Sequence, residues 1–136
     1  METFDGLPGL LDTSVFIASE SGRPLAVELL PQESAISVVT LAELHAGVLA
    51  ARDTGTRARR MATLEMLADV HALAVDDEVA KVWARLRVEL AEAGRRINVN
   101  DLWIAATAVR HGLPVMTQDD DFAALEGMTG VVVVSV

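Results

Sequence analysis

The residues of this chain best suited to chemistry are acids that fall where one structural element gives way to the next. Asp12 follows the apolar run Gly9-Leu10-Leu11, and Glu43 stands one helical turn beyond the run Ala35 to Val39. Asp101 opens an apolar segment, and Asp119 and Asp121 lie within Thr117-Gln118-Asp119-Asp120-Asp121-Phe122. Several carboxylates gathered in one cleft repel one another unless a cation joins them. Oxygen donors with no cysteine and no histidine cluster favour Mg2+ or Mn2+ over zinc. Such an ion polarises a phosphoryl oxygen and lowers the pKa of a water, and two ions roughly 3.5–4 Å apart clamp attacking and leaving oxygens. That chemistry needs no histidine, and His45, His71 and His111 show no spacing that suggests an acid–base pair.

Each acid also has a purely structural reading. Asp12 and Asp119 suit helix N-caps. Thr40-Leu41-Ala42-Glu43 fits a capping box, in which the glutamate reaches back to a backbone N–H. Asp101 and Asp121 suit the positive end of a helix dipole. What separates the two readings is whether the acids meet, and that depends on the elements that carry them.

Those elements alternate. Gly9-Leu10-Leu11 reads as a short buried strand ending in the capping residues Asp12-Thr13-Ser14. A helix begins at Val15 and breaks near Ser21-Gly22, and Pro24 to Leu30 reads as a short helix with proline in its first turn. Ala35 to Val39 is a second strand, rich in β-branched residues. Thr40 opens a helix to about Arg52, and Thr56 to Val70 forms another. His71 to Val75 is a third strand. The amphipathic helix from Asp77 to Ala93 places Val79, Val82, Trp83, Leu86 and Leu90 on one face and ends at Gly94. Asn100 caps a helix that runs to His111, Pro114 to Met116 is a fourth strand, Asp119 to Leu125 a helical turn, and Val131 to Val134 a fifth strand. Short apolar strands alternating with helices predict a three-layer α/β/α sandwich around a mostly parallel five-stranded sheet. Open sheets of this kind bind ligands at the carboxyl edge of their strands, where all the acids then converge.

At 136 residues the chain is expected to form one domain, residues 1–136, with residues 1–8 an extension ahead of the fold. The absence of cysteine excludes thiol nucleophiles, disulfides and thiolate zinc sites, and accords with a cytoplasmic location. No apolar run reaches the length of a membrane span, so no membrane partner is expected. Aromatic residues make up only 4% of the chain, which argues against a base-stacking platform. A net charge of −9 argues at first against a nucleic-acid partner, but nine of the eleven basic residues lie between Arg52 and Arg96. That segment carries +1 and the rest of the chain −10. Arg57, Arg59, Arg60, Arg95 and Arg96 are accordingly either solvated helix faces or a phosphate-contacting rim around an acidic centre.

Four segments occur in an order that resembles the PIN-domain nucleases, most closely the VapC-type toxins of prokaryotic toxin–antitoxin pairs. They are Gly9-Leu10-Leu11-Asp12-Thr13-Ser14; Val38-Val39-Thr40-Leu41-Ala42-Glu43-Leu44 with Gly47; Asn100-Asp101-Leu102-Trp103-Ile104-Ala105-Ala106; and the segment Thr117 to Phe122. The resemblance implies a Mg2+- or Mn2+-dependent endoribonuclease acting on RNA, a toxin role, a homodimer and a cognate antitoxin. It makes Asp12, Glu43, Asp101 and Asp119 the metal-site acids, with Asp121 as a supporting acid that also fits the closing segment. Ser14 and Thr117 match positions whose hydroxyls orient those acids. Two other kinds of α/β domain share an acidic pocket. A phosphohydrolase with an aspartyl nucleophile needs a second aspartate where Ser14 stands, and a phosphoacceptor signalling domain needs a lysine after a late strand, whereas the only lysine is Lys81, within a helix.

Overall fold

The structure, a computed structural model, describes residues 8–136. The expected extension therefore lies outside the described residues, apart from Pro8, which belongs to the first strand. Five strands, β1 (Pro8–Leu11), β2 (Glu33–Ser37), β3 (His71–Leu73), β4 (Val115–Thr117) and β5 (Val133–Ser135), form one sheet in the order β3-β2-β1-β4-β5. Every adjacent pair is parallel. The helices are α1 (Thr13–Glu20), α2 (Val38–Ala50), α3 (Thr54–Met66), α4 (Asp77–Glu92) and α5 (Val99–Arg110), with 3-10 turns at Val27–Leu29 and Asp120–Leu125.

Alternation along the two central strands builds the layers. Leu10 and Val115 point into a core shared with Val79, Leu86 and Leu90 of α4 and Ile104 and Ala108 of α5. Their neighbours Leu11 and Met116 point to the opposite face, where Val15 packs beside Met116 and where Ile36, Leu44, Leu67 and Phe16 cluster. Each fully buried Val, Leu or Ile contributes about 1.5–3 kcal/mol. Gly9 sits where β1 is most crowded: a Cβ there would lie 3.1 Å from Pro31 Cγ and 3.2 Å from Met116 Cε. Gly94, at φ 67°, turns the chain out of α4, and the Arg95 N–H closes the turn on the Leu90 carbonyl at 2.9 Å.

The helix expected over Thr56 to Val70 spans Thr54–Met66 with Asp53 as its cap, and the third and fifth strands are His71–Leu73 and Val133–Ser135 in place of His71 to Val75 and Val131 to Val134. Three other local expectations differ in kind. The second strand ends at Ser37 and α2 starts at Val38, because the Ser37 hydroxyl accepts the Val39 N–H at 3.1 Å and caps the helix three residues earlier than Thr40 would. The capping box at Thr40–Glu43 therefore does not form. Between Pro24 and Leu30 there is only the 3-10 turn Val27–Leu29, with no side-chain cap. The cap of α5 is Asn98, whose Oδ1 accepts the Asn100 N–H at 2.8 Å, so Asn100 lies inside the helix.

Candidate metal centre

From β1 the chain proceeds outward to β2 and β3, then returns to the other side of β1 to add β4 and β5. The reversal opens a crevice at the carboxyl ends of β1 and β4, the switch point at which open α/β sheets bind ligands. Asp12 and Thr117 stand on its two sides. Asp12 caps α1 and is 2% exposed. Its Oδ2 accepts the Ser14 N–H at 3.3 Å, the Ser14 hydroxyl at 2.7 Å and the Thr117 hydroxyl at 2.9 Å. The two hydroxyl oxygens lie 3.1 Å from each other. Each carries one proton, and the carboxylate is the stronger acceptor, so both protons point to Asp12. The same oxygens accept the N–H groups of Gln118 at 2.9 Å and Asp119 at 2.8 Å. The network thus fixes the Asp12 rotamer and the start of the turn that carries Asp119 and Asp121. Burial raises the Asp12 carboxyl above its usual 3.8, against the opposing pull of its hydrogen bonds from Ser14, Thr117 and the backbone.

The remaining acids arrive from three other elements. Asp119 caps the second 3-10 turn, its Oδ1 accepting the Asp121 N–H at 2.9 Å. Asp101 lies in the first turn of α5 and is not its cap. One carboxylate oxygen from each of Asp101, Asp119 and Asp121 lies within 4.8 Å of the other two. The Asp101 carboxyl is pushed up from 3.8 to about 7, first by burial and then by the charges of Asp12, Asp119, Glu43 and Asp121. The close geometric group is thus Asp101, Asp119 and Asp121, and Asp12 and Glu43 lie near enough for their charges to act on Asp101. Asp12 and Asp119 are caps as well as members of the cluster, so the capping reading and the cluster reading are compatible for them.

Glu43 extends from the second turn of α2, where it is free of the helix cap. The Thr13 hydroxyl donates to its Oε1 at 2.7 Å and the Asn100 amide to its Oε2 at 3.4 Å. Thr13 Oγ1 also lies 3.0 Å from the Thr40 hydroxyl, which can donate to it in turn. Thr13 and Asn100 carry no such role in the sequence reading, since a hydroxyl beside Asp12 and an amide beside Asp101 look like ordinary caps. The donor set is all oxygen, of the kind a hard divalent cation takes.

Three of the five singled-out arginines are tied to backbone carbonyls. Arg57 donates to Ala51 at 3.4 Å, Arg60 to Gly47 at 2.5 Å, and Arg95 to Ala124 at 3.3 Å and Glu126 at 2.8 Å. Arg59 donates to the Thr56 hydroxyl at 3.2 Å, and Arg96 is exposed. A cavity of about 670 Å³ lined by Arg87, Arg95 and Arg96 lies at the α4–α5 connection, next to the start of the helix that carries Asp101. Lys81 is 72% exposed and pairs with Glu78 of its own helix, α4, which leaves a phosphoacceptor reading without its lysine. No described helix is long and apolar enough to cross a membrane.

Residues 9–128 match the PIN domain family. Ribonuclease VapC5 of Mycobacterium tuberculosis is 61% identical over 128 residues, 94% of this chain and 95% of that protein. Ribonuclease VapC4 of the same organism is 44% identical over 116 residues, 85% of this chain and 89% of that one. The crystal structure of VapBC-5, a member of the VapBC family of toxin–antitoxin systems from M. tuberculosis, includes a chain that superposes with a TM-score of 0.89 at 57% identity, covering 95% of this chain and 98% of its own. The family match over residues 9–128, the superposition and the identity along nearly the whole length make this chain a member of the PIN-domain family, within its VapC ribonuclease group.

Proposed function

We propose that this chain is a metal-dependent endoribonuclease, the toxin of a toxin–antitoxin pair, and that residues 8–136 act as one nuclease unit. The observation that carries the reading is the convergence of Asp12, Glu43, Asp101, Asp119 and Asp121 on one crevice, strong enough to hold the Asp101 carboxyl at about 7. Burial first, and then the charges of the other acids, raise that carboxyl, and a bound cation offsets both. Asp12, Glu43, Asp101 and Asp119 would hold Mg2+ or Mn2+, with Asp121 supporting them. When bound, such an ion acts as a Lewis acid toward the phosphoryl oxygen and acidifies a water. The chain's own residues do the positioning. Ser14 and Thr117 keep Asp12 in one rotamer, Thr13 and Asn100 steady Glu43, and Asp101 releases its proton on loading, so loading strengthens as pH rises.

The substrate is RNA, with Arg59 and Arg96 contacting phosphates and Arg57 and Arg95 adding charge beside their structural bonds. An antitoxin would place an arginine among the acids, since a guanidinium is permanently charged and pairs bidentately with carboxylates. A homodimer and a cytoplasmic location complete the reading. The test is direct: RNA incubated with the protein and Mg2+ or Mn2+ should be cut internally, and chelator or Asp101→Asn should abolish the cut. Cleavage that survives both would refute the metal mechanism, and no cleavage with either ion would refute the nuclease reading.

A further inference from the structure

A second cavity, about 310 Å³, adjoins the acid cluster and shares Glu43 with it. It lies between α1 and α2 and is bordered by Arg60 of α3. Ile17, 44% exposed, and Leu44, 7% exposed, give it aliphatic walls. Its polar side chains are Thr13, Glu20, Ser21, Glu43 and Arg60. The Thr13 hydroxyl is given to Glu43 and the Ser21 hydroxyl to the Ile17 carbonyl, while Glu20 and Arg60 are each held by one bond. The Thr63 hydroxyl donates to Glu20 Oε1 at 2.5 Å, and Arg60 Nη1 donates to the Gly47 carbonyl at 2.5 Å. Among the described residues the ion pairs are Lys81–Glu78 and Arg85–Glu89, so Glu20 and Arg60 do not neutralise each other. A carboxylate accepts on more than one lone pair and a guanidinium has five N–H donors, so each retains capacity beyond these anchors.

A carboxylate able to accept two neighbouring N–H groups, with a fixed guanidinium donor in the same small cavity, selects a ligand edge with adjacent donors beside an acceptor. Unpaired RNA bases are read along such edges. Guanine presents N1–H and N2–H side by side with O6 next to them. Adenine and cytosine each offer one amino donor beside a ring acceptor, and uracil offers one donor between two acceptors. Aliphatic walls suit the flat faces of a base, and the shared Glu43 puts the cavity next to the candidate metal centre. Resting on the nuclease reading, we propose that this cavity binds the guanine of a nucleotide flanking the scissile phosphate. Glu20 accepts N1–H and N2–H, and Arg60 donates to O6. Arg60 then contacts a base, beyond the phosphate role that its place in a basic segment suggests.

The test uses the whole chain with Mn2+ and a randomised RNA pool, the cut ends being sequenced. Guanine should be enriched at one fixed position beside the cut. In a defined oligonucleotide, replacing that guanine with inosine, which lacks only the 2-amino group, should lower kcat/KM roughly tenfold to a hundredfold, as expected for a hydrogen bond to a charged group. Glu20→Gln keeps the size of the side chain and an acceptor for Thr63, so its melting temperature should hold while the guanine-to-inosine ratio falls toward one. A flat base profile, which a cavity built for a partner protein's side chain would leave, overturns the pocket alone. So does a guanine-to-inosine ratio near one in the wild type, or one that Glu20→Gln leaves unchanged. A wild type that cuts no RNA overturns the nuclease reading, and this inference with it.

Discussion

Replacing Asp101 with asparagine tests the acid cluster without any substrate. In the cation-free protein this carboxyl sits at about 7 against its usual 3.8, raised by burial and then by Asp12, Asp119, Glu43 and Asp121. The folded state therefore holds the proton more tightly than the unfolded chain does. Stability is unaffected below about pH 4, declines as pH rises from about 4 to about 7, and stays at the lower level above that. A shift of about three pH units corresponds to about 4 kcal/mol. Asp101 is only partly buried, so screening by solvent reduces this to roughly 2 kcal/mol. Against that stands the attraction between an ionised Asp101 and the N-terminus of α5, about 0.3–1 kcal/mol, which asparagine gives up. Removal of the buried charge and of its repulsion wins, and Asp101→Asn should stabilise the chelated protein at pH 8 by about 1–2 kcal/mol. For a chain of this size that raises Tm by roughly 3–8 °C. At pH 4 the two proteins should melt nearly together. Mg2+ at a hundredfold excess over its Kd should add about 2.7 kcal/mol to the wild type and much less to the variant. The assay is a set of thermal melts of both proteins, with chelator at pH 4 and pH 8 and with Mg2+ at pH 8. A variant less stable than wild type in chelator at pH 8, together with a wild type indifferent to Mg2+, would refute the cluster argument.

Three further predictions concern Thr117 beside the cluster and the arginines outside it. Thr117→Val removes the donor to Asp12 and the acceptor of the Asp119 N–H in a site that is 1% exposed. It should cost about 1–3 kcal/mol in chemical denaturation and weaken Mn2+ binding roughly tenfold to a hundredfold, and an unchanged Mn2+ titration would show that the network does not orient the site. Among the arginines, Arg59→Gln with Arg96→Gln should flatten the salt dependence of RNA affinity and leave the melting temperature in place. Arg95→Ala, which frees the Ala124 and Glu126 carbonyls, should lower stability by about 1–2 kcal/mol; equal melting temperatures would return Arg95 to the solvated surface.

Short-range physics made much of this protein legible in its sequence. Apolar runs bounded by Gly, Pro and capping residues located five strands and the main helices, because hydrophobic period and caps act over a few residues. The acids were visible for the same reason, each standing at an element's end. Boundaries that depend on competing caps were less legible. Ser37, Thr40, Asn98 and Asn100 are all chemically able to cap, and packing decided that Ser37 and Asn98 do so. Local pattern is equally silent about Arg95, whose carbonyl partners lie about thirty residues downstream.

What only the tertiary structure decided is the meeting of the acids. The sequence determined that Asp12 would end a strand and that Asp119 would begin a turn, but not that β4 would lie against β1. That strand order opens the crevice and brings Thr117 within 2.9 Å of Asp12, across 105 residues of chain. The rise of Asp101 to about 7 has the same origin. A carboxylate's pKa responds to the burial and charge around it in space, and four of its neighbours come from other elements, so no window of sequence contains the field that it feels.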